Sequence, residues 1–89
     1  MGYNATLRKK AEKYLDKQTA AIQLRILDAI DALPKGDVKK LRGRTGLRLV
    51  VGDFRVVFRY TNLHDEFGNT IIDVVKIGPR GDVYKKGRR

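Results

Sequence analysis

Leu47-Arg48-Leu49-Val50-Val51-Gly52-Asp53-Phe54-Arg55-Val56-Val57-Phe58-Arg59-Tyr60 is the stretch that decides the fold of this chain. It holds two β-branched and aromatic runs separated by Gly-Asp. Glycine first in a two-residue connection suits a primed hairpin turn. With Gly52 and Asp53 as the loop, Val51 pairs with Phe54, Val50 with Arg55, and Arg48 with Val57. Strand alternation then fixes two faces. Leu47, Leu49, Val51, Phe54, Val56, Phe58 and Tyr60 share one side. Arg48, Val50, Arg55, Val57 and Arg59 share the other, so the hairpin has a greasy back and an arginine-bearing front.

Beyond the hairpin, Thr61 to Asn69 is polar and ends in the turn pair Gly68-Asn69, which predicts a loop. Thr70 to Ile77 is apolar on both faces apart from Asp73 and Lys76, the pattern of a central strand. Gly78-Pro79-Arg80-Gly81 breaks it, and Asp82-Val83-Tyr84 follows.

Before the hairpin the period changes. Leu7, Ala11, Tyr14 and Leu15 fall on one helix face. A polar break follows, with Thr19 placed to cap a second helix. That helix carries Ile22, Ile26, Leu27, Ile30 and Leu33 until Pro34 stops it, and Lys35-Gly36-Asp37 is turn chemistry. Residues Gly2 to Thr6 are read as a short strand. The order β-α-α-β-β-β predicts an α+β domain over residues 1–89, an N-terminal helical hairpin packed on one face of a small antiparallel sheet.

Composition narrows the function. Twenty Lys and Arg against ten Asp and Glu give a net charge of +10, which points to a polyanionic partner. Lys35, Lys39, Lys40, Arg42, Arg44 and Arg48 crowd one stretch with only Asp37 to offset them, and Lys85, Lys86, Arg88 and Arg89 form a second basic group. The absence of cysteine removes disulfides and thiolate metal sites. No apolar run is long enough to span a membrane, and the N-terminus lacks the apolar core of a signal peptide. The expected setting is the cytoplasm, with no membrane partner.

Metal and nucleophile chemistry find little footing. The single histidine, His64, stands beside Asp65 and Glu66 without metal-ligand spacing, and it has no second histidine for acid–base work. Gly43, Gly46 and Gly52 do not form a phosphate-cradling loop ahead of a helix. No metal and no cofactor are expected. The positive candidates are Arg48, Arg55, Arg59, Arg80, Lys40, Arg42 and Tyr84, because a planar guanidinium grips phosphate through paired donors and stacks on bases.

Three segments carry a family resemblance: Val38-Lys39-Lys40-Leu41-Arg42-Gly43, then Leu47 to Arg59, then Ile77-Gly78-Pro79-Arg80-Gly81-Asp82-Val83-Tyr84-Lys85. Their order and spacing resemble the RelE/ParE superfamily of bacterial and archaeal toxins, the toxic halves of type II toxin–antitoxin pairs, over the whole chain. The resemblance implies an antiparallel sheet with two helices on one face. In the RelE branch it implies cleavage of ribosome-bound messenger RNA, without metal, by attack of a 2′-hydroxyl on the adjacent phosphate. Carried over by motif, the catalytic residues are Arg48, Arg55, Arg80 and Tyr84. Lys39, Lys40, Arg42, Arg44, Arg59, Lys85 and Lys86 are expected to bind RNA. The implied partners are the ribosome, its mRNA and a cognate antitoxin.

One position departs from the family pattern. RelE-type enzymes often carry a second basic residue two positions after the first on the same strand face, and here that position is Val50. The departure favours a competing reading, the ParE branch, which inhibits DNA gyrase and cleaves nothing. A non-catalytic RNA-binding domain is the remaining alternative.

Overall fold

The computed structural model describes residues 2–41 and 46–79. Strand β1 (Tyr3–Leu7) leads into helices α1 (Lys9–Asp16) and α2 (Ala20–Asp31), followed by β2 (Asp37–Lys40), β3 (Leu47–Val51), β4 (Phe54–His64) and β5 (Thr70–Pro79). The strands form one sheet in the order β1-β5-β4-β3-β2. The helices carry the chain from the β1 edge to the β2 edge, and they cover one face on the way.

The decisive hairpin forms in the expected register, with Val51 opposite Phe54, Val50 opposite Arg55 and Arg48 opposite Val57. Gly52 sits at φ +58°, the left-handed conformation that a primed turn requires. Leu49, Val51, Val56 and Phe58 are buried on the back face. They meet Ala11 and Leu15 of α1, Ile26 and Ile30 of α2, Leu33, and Ile72, Val74 and Ile77 of β5. Thr19 caps α2, its Oγ1 accepting from the Ile22 amide at 3.3 Å.

Five details correct the sequence reading. The sheet is mixed, because β1 runs parallel to β5 with Tyr3 opposite Thr70 and Leu7 opposite Val74. Leu7 ends that strand and does not open the helix, since the ladder continues until the Arg8 amide donates to the Val74 carbonyl at 3.0 Å. A strand stands at Asp37–Lys40, where only Val38 is apolar; backbone pairing to β3 replaces the missing side-chain alternation. Finally, β4 continues through His64, so the expected loop shrinks to a turn over residues 65–69. Leu27, assigned to the apolar stripe of α2, is exposed.

That turn is built by Asp65. Its Oδ1 accepts from the amides of Phe67 and Asn69, both at 2.9 Å, and its Oδ2 accepts from the side-chain amides of Asn69 and Asn4. The Asn4 link ties β1 to the β4–β5 turn. Among the described residues, no helix is long and apolar enough to cross a membrane.

Candidate functional site

The face of the sheet opposite the helices carries the chemistry. Pairing across four strands aligns Lys39, Arg48, Val57 and Lys76 in one row. Three of those four positions are cationic. The row on one side is Asp37, Val50, Arg55 and Gly78; on the other side Arg59 faces Asp73, which faces Thr6 of β1. Alternation alone puts these residues forward, because their neighbours Leu49, Val56 and Phe58 are committed to the core.

Arg48 and Arg55, to which the family resemblance assigns catalytic roles, lie on this face in neighbouring rows. Arg55 is 7 % exposed, the one buried charged side chain among the described residues. Arg48 is half-buried, and its Nε donates to no protein acceptor among the described residues. A buried guanidinium nitrogen is costly to leave unsatisfied, and at Arg48 a phosphate can serve it through paired donors.

Arg59 is also on the front, but Asp73 holds it, with Nε 3.2 Å from Oδ2. The same carboxylate takes two bonds from Arg8, Nε to Oδ1 at 3.0 Å and Nη2 to Oδ2 at 2.6 Å. Hydrogen bonding to Arg8 holds the Asp73 carboxyl below its ordinary pKa; burial pushes the other way by less, and the hydrogen bond from Arg59 adds a weaker downward pull. The sequence does not single out Arg8, since it lies far along the chain from the other candidates, all of which follow the helices. A signal existed only in hindsight of topology: β1 delivers its C-terminus beside β5. Lys76 was also passed over as a binding residue, and its place in the Arg48 row follows from the register of β5.

The two lysines of β2 part company. Lys39 joins the front row, while Lys40 pairs with Leu47 on the opposite face. His64 ends β4 rather than lying in a loop. Arg42, Arg44, Arg80, Tyr84, Lys85 and Lys86 lie outside the described residues. The front face, so far as it is described, can bind an extended polyanion across four strands and offer fixed positive charge at Arg48 and Arg55.

Two solved chains share this architecture. One belongs to the archaeal RelE–RelB complex from Pyrococcus horikoshii OT3; it is 28 % identical, the match covers 91 % of this chain and 98 % of that one, and the TM-score is 0.64. The fold is one found in RelE–RelB complexes. A second chain, from the RelB–RelE antitoxin–toxin complex of Methanococcus jannaschii, is 20 % identical over 90 % of this chain and 95 % of its own, with a TM-score of 0.66. At that identity the second likeness speaks for fold alone. No protein-family model and no curated protein sequence matches the chain. The RelE-like α+β architecture expected from the sequence, two helices on one face of a sheet, is thus the one observed, with its sheet mixed instead of antiparallel.

Proposed function

We propose that this chain is the toxin half of a type II toxin–antitoxin pair and that it cleaves messenger RNA on the ribosome. The observation that carries the reading is the cationic row Lys39–Arg48–Val57–Lys76, with Arg55 beside it, on the helix-free face of a fold shared with RelE–RelB complexes. A net charge of +10 on a domain with its own apolar core supports the toxin side of the pair. Its antitoxin would be acidic and partly disordered, joining by coupled folding and charge complementarity.

The reaction is attack of a ribose 2′-oxygen on the adjacent phosphorus. The P–O5′ bond breaks, the 2′-hydroxyl loses its proton, and the departing 5′-oxygen gains one. Arginine keeps its proton at physiological pH. Arg48 and Arg55 therefore stabilise charge on the pentacoordinate phosphate and leave proton transfer to other groups. Burial restricts their motion, which favours preorganised charge. By the family resemblance Arg80 adds a further donor, and Tyr84 orients the 2′-hydroxyl or stacks on a base. With so little acid–base equipment, much of the rate comes from holding the RNA in line, which the ribosome supplies.

The test is expression in growing cells followed by mapping of mRNA 5′ ends. Cleavage within codons, abolished by Arg80→Ala, supports the nuclease. One observation favours the gyrase-inhibitor reading instead: Val50 occupies a front position between Asp37 and Arg55 without a charge. Growth arrest with intact mRNA and relaxed plasmid would establish that reading and sink the nuclease.

A further inference from the structure

A shallow depression of about 210 Å³ opens on the front face, lined by Arg8, Leu41, Gly46, Val57, Phe58, Arg59 and Val75. It sits one front position along β4 from the Lys39–Arg48–Val57–Lys76 row, Val57 being common to both. Two residues of strand rise make that step about 7 Å.

Two local features shape it. The β4–β5 ladder slips between Val57, opposite Lys76, and Phe58, opposite Val74, so Val75 is the extra residue of a bulge. Bulges of this kind re-aim a side chain beside functional sites, and here Val75 becomes a wall of the depression. Gly46 stands at φ +120°. A Cβ there would lie at ordinary contact distance, 3.4 Å from the Phe58 carbonyl oxygen and 3.5 Å from Leu41 Cδ1, so it is the backbone conformation and not crowding that calls for glycine.

The polar rim is set by Asp73. It fixes Arg59 through Nε and Arg8 through Nε and Nη2. Both η nitrogens of Arg59, and Nη1 of Arg8, meet no protein acceptor among the described residues. Asp73 itself has both oxygens engaged and a side chain only 16 % exposed, so it acts as an anchor for the two guanidiniums. Apolar walls beside a fixed fork of N–H donors suit a flat heterocycle that presents two adjacent acceptors. Among nucleobases guanine does so through O6 and N7, the pair that arginine reads bidentately; unpaired cytosine does so through N3 and O2, but its single ring covers less of the apolar wall.

We infer that the depression bounded by Arg8, Arg59, Val57 and Val75 is a nucleobase subsite that prefers guanine next to the phosphate-binding row. The inference rests on the RNA reading above, which the mapping of 5′ ends judges separately.

The probe is a set of three hexaribonucleotides, all uridine or with one central guanosine or adenosine, 2′-O-methylated to block cleavage. Binding is measured at low ionic strength, where phosphate contacts are strongest. The guanosine hexamer should bind on the order of 5- to 100-fold tighter than the other two. Arg59→Lys keeps the charge and gives up the fork. It should bind all three hexamers within about threefold of one another, so that the guanosine preference is lost whatever the overall affinity, with an unchanged amide spectrum confirming the fold. The Nε–Hε resonances of Arg8 and Arg59 should move with the guanosine hexamer and stay put with inorganic phosphate. Equal affinity for all three hexamers overturns the subsite and leaves a backbone-binding face. A preference that persists in Arg59→Lys, or no binding of any hexamer, overturns it as well.

Discussion

Arg8 grips Asp73 through both carboxylate oxygens, at 3.0 and 2.6 Å, and so fastens the residue that caps α1 to the middle of β5. Arg59 reaches the same carboxylate from β4. One acid thus holds two arginines in place on a strongly basic face. Because bonding to Arg8 and Arg59 lowers the Asp73 pKa, the linkage stabilises the fold above the unfolded value of about 3.9. It fades as pH falls through the depressed folded value. Asp73→Asn should lower the melting temperature by a few degrees at neutral pH. The gap to wild type should shrink in acid and at high salt, since Arg8 and Arg59 are half exposed and screened. Thermal melts across pH and ionic strength check this, and a gap that widens in acid would contradict it.

Asp65 makes a second acid-sensitive joint. Four hydrogen bonds, those from Asn69 first, push its pKa down to about 2. Its contribution is complete above about 3.9 and is lost as pH falls toward about 2. Asp65→Ala removes the acceptors for Phe67, Asn69 and Asn4 together. Amide exchange should therefore accelerate along β1 and the start of β5 far more than along β3. Uniform acceleration over the sheet would show that the turn is not what holds β1.

The hairpin was readable because two signals agreed: Gly-Asp chemistry fixed the turn, and side-chain alternation fixed the register. The same alternation placed Arg48 and Arg55 forward without any knowledge of the remaining strands. Residues Asp37 to Lys40 escaped that logic. An edge strand with one apolar residue is held by backbone bonds to β3, which leave no pattern in side chains. The parallel pairing of β1 escaped for another reason. Tyr3 and Thr70 lie so far apart in the chain that only the path of the helices decides which edge β1 joins, and in which direction. Arg8 reaches the front face as a consequence of that pairing, so it could not be found before the topology.

Phe58 is fully buried at the centre of the sheet's back face and stands edge-on to Tyr60, ring centres 5.6 Å apart. Phe58→Ala should cost about 3–5 kcal/mol. In a domain this small that is a large share of the total stability. Urea unfolding should show a lower midpoint with little change in slope. A loss under 1 kcal/mol would mean that the core collapses around the gap.

Gly52 meets two constraints at once. It takes φ +58°, and a Cβ there would lie 2.6 Å from Nη2 of Arg25. The arginine tip is flexible and can retreat, so the backbone conformation is the dearer of the two. Gly52→Ala should destabilise by about 1 kcal/mol, and Gly52→Asn by less, since asparagine tolerates the left-handed region. Adding Arg25→Ala should not rescue Gly52→Ala. Full rescue in the double variant would put the crowding first.

Val50 separates the two proposed activities. It faces forward between Asp37 and Arg55, at a position where the family resemblance implies a basic side chain. The site is half-buried. Lysine fits there by laying its stem along the strand and sending the ammonium outward, with Asp37 close enough to offset repulsion from Arg55. Val50→Lys adds one phosphate contact to the front face. The salt slope of RNA binding should steepen by about one unit. If the chain is a nuclease, the added cation also sits beside the scissile phosphate, and cleavage should quicken by about tenfold or more. A gyrase inhibitor would gain RNA affinity and still leave mRNA whole. Comparing mapped 5′ ends for wild type and Val50→Lys at matched expression distinguishes the two. Faster cutting at unchanged positions identifies the hairpin as catalytic, and tighter binding without cutting identifies it as a clamp.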